Sequence, residues 1–190
     1  MTTPCIALLF IQGASAGAHE ADRVLAEALG HALAPDFRVH FPRMPDEDAP
    51  DNDVWRRAIS TALQRTRATF LVAHSAGAAI AADMLTRGGD EAATLAALSG
   101  VFLLAPPFVG KGGWKLDGFR LDEPVAPEAL ASLPLHLYFG SADTTVPSAH
   151  ADLYARLFHG AAIHRVPGCG HQFEGWMAHI ARDVQALARA

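Results

Sequence analysis

Short apolar runs alternate with amphipathic segments along the whole chain. The runs predict buried β-strands over residues 5–11, 37–41, 69–73, 101–105, 135–140 and 162–166. Between them, apolar residues recur at helical spacing, which predicts helices over 21–33, 53–67, 76 onward, 91–98, 148–158 and 173–187. Continuous apolar strands separated by helices are typical of a parallel sheet that helices cover on both faces. We therefore expect a three-layer α/β/α fold with a doubly wound sheet of about six parallel strands.

One segment departs from this alternation. Residues 106–130 are rich in glycine and proline and follow the fourth predicted strand. Function collects at the carboxyl ends of the strands in such sheets, so the segment is predicted to lie over the functional edge. It is too small to form a lid domain. Because 190 residues suffice for only one well-buried domain, we expect a single domain over 1–190.

The composition excludes several classes of function. Apolar residues make up 51% of the chain and charged residues 18%, which excludes general disorder. A formal net charge of −5 argues against a nucleic-acid-binding protein. The ten histidines form no HExxH motif and no zinc-finger spacing with the cysteines, so the sequence predicts no metal site.

The cysteines and the apolar runs bear on cellular location. Cys5 and Cys169 are too few for a disulfide framework, which favours reduced thiols in a cytoplasmic protein. The first apolar run has no Lys or Arg before it, unlike a secretion signal. No stretch approaches the roughly 18 apolar residues that a membrane span requires. We therefore expect a cytoplasmic protein whose partners include neither a membrane nor nucleic acid.

The stretch AHSAG places Ser75 between the third predicted strand and the following helix. A nucleophilic serine in that position lies in a sharp turn, which requires very small residues two positions before and two after it. Ala73 and Gly77 occupy these positions, although the usual signature, G-x-S-x-G, begins with glycine. Serine is also a preferred N-cap of helices. The pentapeptide alone therefore leaves a nucleophile and a helix cap both open.

A base and a residue that orients it follow in the expected chain order. A serine hydroxyl needs both in order to react at neutral pH. Asp143 comes just after the fifth predicted strand and His171 just after the sixth, which is the order Ser, Asp, His of this architecture. The sequence therefore predicts a Ser75–Asp143–His171 catalytic triad. His74 adjoins the nucleophile, and we interpret it as a packing or hydrogen-bonded support.

Backbone N–H groups are predicted to bind the oxyanion that develops during acyl transfer. One is the N–H of Ala76, directly after the nucleophile. The second comes from the loop after the first strand and is assigned to Ala14, with Gly13 allowing a close approach and contacting the substrate. Any N–H group from 13 to 16 is compatible with this second role.

Three stretches, AHSAG, FGSADTTVP and PGCGHQF, together resemble the α/β-hydrolase superfamily. The short chain and the stretch FPRMP, with Trp55 after it, resemble more narrowly the small serine hydrolases related to retinoblastoma-binding protein nine. This resemblance implies a compact α/β-hydrolase fold without a lid domain, esterase-like activity and the same triad. The chain departs from the pattern at Gln12, where many hydrolases have histidine, and at Ala73.

The predicted reaction is hydrolysis of a small-molecule ester or related acyl substrate through an acyl-enzyme, without a cofactor. Phe108 and Trp114 are candidates for lining the acyl pocket, although core or exposed positions are equally compatible with them. The sequence leaves open the natural substrate, the choice among esterase, thioesterase, amidase and acyltransferase, and the oligomeric state.

Two rival functions are compatible with parts of the sequence. A short-chain dehydrogenase is suggested by QGASAGAHE, but position 19 is His where the dinucleotide fingerprint has glycine. Those enzymes also have a Lys four positions after a Tyr. Here Ala142 lies four positions after Tyr138, and Phe158 lies four positions after Tyr154. The other rival is a non-catalytic protein-binding module on a hydrolase fold. Such a module would be expected to lack a member of the triad.

Overall fold

The six predicted strands form one parallel sheet, in the order β2-β1-β3-β4-β5-β6, in the computed structural model. The structure describes residues 5–119, 121, 130 and 132–190. The strands are β1 (Ile6–Ile11), β2 (Phe37–His40), β3 (Phe70–His74), β4 (Gly100–Leu104), β5 (Leu135–Gly140) and β6 (Ala162–Val166). This arrangement confirms the predicted doubly wound sheet.

Helices cover both faces of the sheet. They are α1 (Ala18–Leu33), α2 (Asn52–Thr66), α3 (Ser75–Arg87), α4 (Gly89–Ala96), α5 (His150–Leu157) and α6 (Met177–Ala188). The apolar cores show that α1 and α6 pack on one face, whereas α2, α3, α4 and α5 pack on the other. Among the helices that the structure describes, none is long and apolar enough to cross a bilayer.

The central strand β3 is buried on both of its faces, which explains why its sequence is apolar at nearly every position. Leu71 and Ala73 face the core beneath α2 and α3, while Phe70 and Val72 face the core beneath α1 and α6. All four are at most 2% exposed. Fully burying a Leu, Val or Phe side chain contributes about 1.5–3 kcal/mol, so each position favours an apolar residue.

The last helix begins later than its periodicity predicts. It was expected from residue 173, but α6 begins at Met177. Phe173 and Gly175 have left-handed φ angles of 49° and 77°, which interrupt a right-handed helix. Phe173 is nevertheless fully buried in the core beneath α1 and α6. Its side chain belongs to the core although its backbone does not belong to the helix.

The glycine-rich segment folds back on itself where it leaves β4. Trp114 N–H donates to the Phe108 carbonyl oxygen at 2.8 Å, and Gly110 N–H donates to the Trp114 carbonyl oxygen at 2.9 Å. These bonds close a short turn between Phe108 and Trp114. Residues 120 and 122–129 of the predicted segment 106–130 lie outside the described residues, as does residue 131.

Candidate active site

Ser75 lies at the sharp turn between β3 and α3, with a φ of 50°. A left-handed conformation is unfavourable for a residue with a side chain, by about 1–2 kcal/mol. Gly77 makes this turn possible, because a Cβ atom there would lie 2.3 Å from the Gln12 carbonyl oxygen and 2.6 Å from Ile11 Cγ2. The predicted need for a very small residue two positions after Ser75 thus has a steric cause.

The fold brings Ser75, Asp143 and His171 together from three separate loops. His171 Nε2 lies 3.1 Å from Ser75 Oγ, and His171 Nδ1 lies 2.8 Å from Asp143 Oδ2. The other carboxylate oxygen, Asp143 Oδ1, accepts hydrogen bonds from the N–H groups of Thr145 and Val146, both at 2.8 Å. These two bonds fix the carboxylate, so that Oδ2 faces the imidazole.

The electrostatics of the site favour the neutral form of His171. Burial lowers the pKa of His171, and the neighbouring His74 lowers it further. The hydrogen bond to Asp143 acts in the opposite direction but does not reverse the shift. A neutral imidazole with its Nδ1 proton directed at a carboxylate leaves the Nε2 lone pair facing the serine hydroxyl. This is the state in which a histidine accepts a proton.

The loop after β1 runs directly against the nucleophile. A Cβ atom on Gly13 would lie 3.0 Å from Ser75 Cβ, which explains a residue without a side chain at this position. The Gly13 N–H donates to Asp22 Oδ2 at 2.7 Å and is therefore already engaged. Ala14 N–H makes no hydrogen bond within the described part of the chain. Ala76 is in the first turn of α3, where N–H groups have no partner inside the helix.

The sequence matches the profile of the serine hydrolase family over residues 26–187. The chain belongs to this family. The match spans most of the chain and includes all three residues of the predicted triad. No curated protein matches the sequence at a significant level.

Solved structures share the fold of this serine hydrolase at low sequence identity. A protein described as a YdeN-like hydrolase, from Pectobacterium atrosepticum, is 18% identical with a TM-score of 0.64, over 96% of this chain and 92% of that chain. A protein assigned to the α/β-hydrolase superfamily, from Xanthomonas campestris, is 16% identical with a TM-score of 0.66, over 100% of both chains. Est1E from Butyrivibrio proteoclasticus is 12% identical with a TM-score of 0.68, over 99% of this chain and 88% of that chain.

These comparisons confirm the predicted superfamily and the α/β-hydrolase fold. The narrower likeness to relatives of retinoblastoma-binding protein nine stays a prediction. The assignment of individual residues to the triad and to the oxyanion site also stays a prediction, since the comparisons concern the fold and the family.

A buried pair, His74 and Asp22, adjoins His171 of the predicted triad. His74 Nδ1 is 2.8 Å from Asp22 Oδ2, and His74 Nε2 is 3.0 Å from the His171 carbonyl oxygen. His74 and Asp22 are only 1% and 2% exposed. The sequence indicated a supporting role for His74 but missed Asp22. A signal existed, because Asp22 shares a helical stripe of α1 with the buried Leu25 and Leu29.

Gln12, the departure from the usual histidine, anchors the loop after β1. Its fully buried side chain donates from Nε2 to Glu47 Oε2 at 2.7 Å. Its Oε1 accepts from the Met44 N–H at 3.2 Å. Glu47 Oε2 also accepts from the His19 N–H at 2.8 Å. Gln12 therefore joins this loop to the segment after β2.

The two aromatic candidates for the acyl pocket occupy different environments. Phe108 is buried and packs edge-on against Tyr154, with ring centroids 5.2 Å apart. Its N–H donates to His150 Nδ1 at 2.9 Å. Trp114 is 37% exposed and contacts the same His150 ring at 5.9 Å between centroids. Contact of either aromatic residue, or of Gly13, with a substrate stays a prediction.

Proposed function

We propose that this serine hydrolase cleaves small carboxylic esters through a Ser75–Asp143–His171 triad. The observation that carries the proposal is the continuous chain of hydrogen bonds from Asp143 through His171 to Ser75 Oγ. The left-handed backbone of Ser75 adds a second argument, because a simple helix cap needs no such strain.

The reaction follows from the positions of these atoms. His171 Nε2 takes the proton of Ser75 as its Oγ attacks the ester carbonyl, which forms a tetrahedral intermediate. His171 then gives that proton to the leaving alcohol as the ester C–O bond breaks. Water, activated by the same imidazole, attacks the acyl-enzyme and releases the acid. Asp143 holds the productive tautomer and stabilises the imidazolium throughout.

The negative oxygen of each intermediate is proposed to rest on two backbone donors. Ala76 supplies one N–H at the beginning of α3, where the helix dipole favours negative charge. Ala14 supplies the other, since the neighbouring N–H of Gly13 is engaged with Asp22. Each such donor typically contributes about 10²–10³ in rate.

The substrate class is inferred from the positions of the helices. The helices of the described residues all pack on the two faces of the sheet, so none of them forms a separate lid. This favours small or flexible acyl groups over long chains held in a tunnel. The proposal includes a cytoplasmic location, because Cys5 and Cys169 are free thiols.

Labelling by a fluorophosphonate probe tests the proposal. The wild type and Ser148→Ala, which changes an exposed serine on another loop, should label, whereas Ser75→Ala and His171→Ala should not. p-Nitrophenyl esters of graded chain length would then define the acyl preference. A folded wild type that does not label, or a Ser75→Ala variant that does, would overturn the triad. The non-catalytic binding module would then become the better hypothesis.

A further inference from the structure

A group of metal-ligating side chains lies away from the triad, between the edge of the sheet and α6. It consists of His136 on β5, His164 on β6 and Asp183 on α6. One ligand atom from each residue lies within 4.8 Å of the other two. Two imidazoles and a carboxylate are the ligand types that bind Zn²⁺ and similar transition metals.

The sheet register explains how residues so distant in sequence meet. His164 pairs with Tyr138 between the parallel strands β5 and β6. Because side chains two positions apart on a strand share a face, His136 and Tyr138 point to the same side. That side is covered by α6, which brings Asp183 over the two strands. No local motif links these residues, which is why the sequence predicted no metal site.

The imidazoles are held close to the spacing that a metal requires. His136 Nδ1 and His164 Nε2 are 3.0 Å apart. Two nitrogen ligands at 2.0–2.1 Å from a tetrahedral Zn²⁺ lie about 3.3 Å apart, so a small opening of this pair would admit the ion. His164 stacks on the Tyr138 ring, with centroids 4.2 Å apart and an interplanar angle of 6°. Stacking therefore limits the rotation of this ligand.

The carboxylate and a neighbouring cavity also suit metal binding. Tyr138 donates from its hydroxyl to Asp183 Oδ2 at 2.6 Å, as groups behind a metal ligand commonly do. A cavity of about 300 Å³, lined by Tyr138, His164 and Asp183 among others, gives access and room for a water ligand.

We propose that His136, His164 and Asp183 bind one divalent transition-metal ion of the Zn²⁺ type, with water as a further ligand. The site is separate from the triad. His136 lies four residues before the end of β5, and a strand rises about 3.3 Å per residue, so roughly 13 Å separate it from that end. The ion ties β5, β6 and α6 together and takes no part in the chemistry at Ser75.

Calorimetric titration of the EDTA-dialysed protein with Zn²⁺ tests this assignment. The wild type should bind about one ion per chain. His164→Gln and Asp183→Asn should weaken binding by about 100-fold or more, since even changes behind the ligands cost about 10- to 100-fold. His179→Gln is the matched control, because His179 lines the same cavity but lies outside the cluster, and it should bind as the wild type does.

Thermal unfolding provides a second measurement on the same proteins. Zn²⁺ should raise the melting temperature of the wild type and of His179→Gln, but not of His164→Gln or Asp183→Asn. Asn has nearly the same volume as Asp, so Asp183→Asn is expected to fold. It tests whether Zn²⁺ binds to the cluster even if His164→Gln does not fold. Fluorophosphonate labelling of Ser75 should be equal with and without the ion.

Three results would overturn the proposal. One is the absence of stoichiometric Zn²⁺ binding to the wild type. Another is binding by a folded Asp183→Asn variant that equals the wild type. The third is loss of binding in His171→Ala with full binding in His164→Gln, which would place the ion at the active site.

Discussion

His74 donates a hydrogen bond from Nε2 to the main-chain carbonyl oxygen of His171, at 3.0 Å. A carbonyl can only accept, so Nε2 carries a proton. The other ring nitrogen faces Asp22 Oδ2, which also accepts from the Gly13 N–H. One buried pair thus fixes the loop of the base and the loop beside the nucleophile.

Replacing Asp22 with asparagine should weaken the contacts that hold the His171 loop and the Gly13 loop in place. An amide oxygen in the place of Oδ2 carries no negative charge, so its hydrogen bonds with the Gly13 N–H and the His74 ring are weaker than those of the carboxylate. We expect a loss of stability of about 1–3 kcal/mol. We also expect kcat for p-nitrophenyl acetate to fall by about 10- to 100-fold with little change in KM, because the attack geometry is disturbed. Urea unfolding and steady-state kinetics measure the two effects.

Glu27→Gln is the control for this change, because it removes an exposed carboxylate from the same helix. It should leave both measurements near their wild-type values. A kcat of Asp22→Asn equal to that of the wild type, in a destabilised protein, would show that the pair supports only the fold.

A methyl group at position 77 should be far more damaging than one at position 30. Gly77→Ala would place a Cβ atom 2.3 Å from the Gln12 carbonyl oxygen, and both strands that flank this contact are buried. We expect a loss of at least about 1–3 kcal/mol from overpacking. At Gly30 of α1 the nearest atom would be Val39 Cγ2 at 3.7 Å, an ordinary contact. Gly30→Ala should therefore stabilise the protein by about 0.5–1 kcal/mol through helix propensity.

Chemical denaturation of both alanine variants measures this contrast. A Gly77→Ala protein as stable as the wild type would mean that the loop after β1 moves away without cost. The proposed position of the Ala14 N–H would then lose its structural basis, because it depends on that loop.

The sheet and the triad arrangement could be predicted because their signals are local. The central strands β3 and β4 are buried at every position, so each reads as a continuous apolar run, as at residues 101–105. Ser75, Asp143 and His171 each follow a strand, and the carboxyl ends of parallel strands share one edge. Topology alone therefore brings the three side chains together.

What the sequence missed depends on contacts between distant residues. Asp22 looks like any polar residue of an amphipathic helix until the fold places it against His74. His136, His164 and Asp183 meet only through the register of β5 and β6 and the packing of α6. The predicted beginning of α6 was wrong because Phe173 is apolar and fits the helical spacing of the residues that follow it. Its left-handed backbone cannot be recognised from that spacing.

The lowered pKa of His171 predicts how labelling depends on pH. In the proposed mechanism the neutral imidazole of His171 is the base, so the rate of fluorophosphonate labelling should rise with pH through this pKa and stay constant above it. Since burial and His74 lower the pKa of His171 below the ordinary histidine value of about 6.5, the midpoint of the rise should lie below about 6.5. His74→Gln removes one cause of the lowering and should move the midpoint upward.

His159→Gln is the control in this experiment, because His159 is exposed and lies beyond α5. Its midpoint should equal that of the wild type, and circular dichroism should show folded protein over the whole pH range. A wild-type midpoint above about 6.5 would contradict the lowered pKa that is expected of the partly buried His171.

Asp143→Asn separates the orienting role of the carboxylate from its structural role. The asparagine oxygen can still accept from the N–H groups of Thr145 and Val146, so the loop should keep its shape. The amide NH₂ then faces His171 Nδ1 and favours the tautomer with its proton on Nε2, which cannot take the proton of Ser75. The labelling rate should fall by about 10⁴-fold in a protein of nearly unchanged stability.

Asp152→Asn, which removes an exposed partner of Arg165, should label at the wild-type rate. Asp143→Ala should lose activity and stability together, because the two loop N–H groups then have no acceptor. If Asp143→Asn were to label within about tenfold of the wild type, His171 would not need the carboxylate to hold its tautomer. The main-chain bond from His74 would then be the stronger candidate for orienting the base.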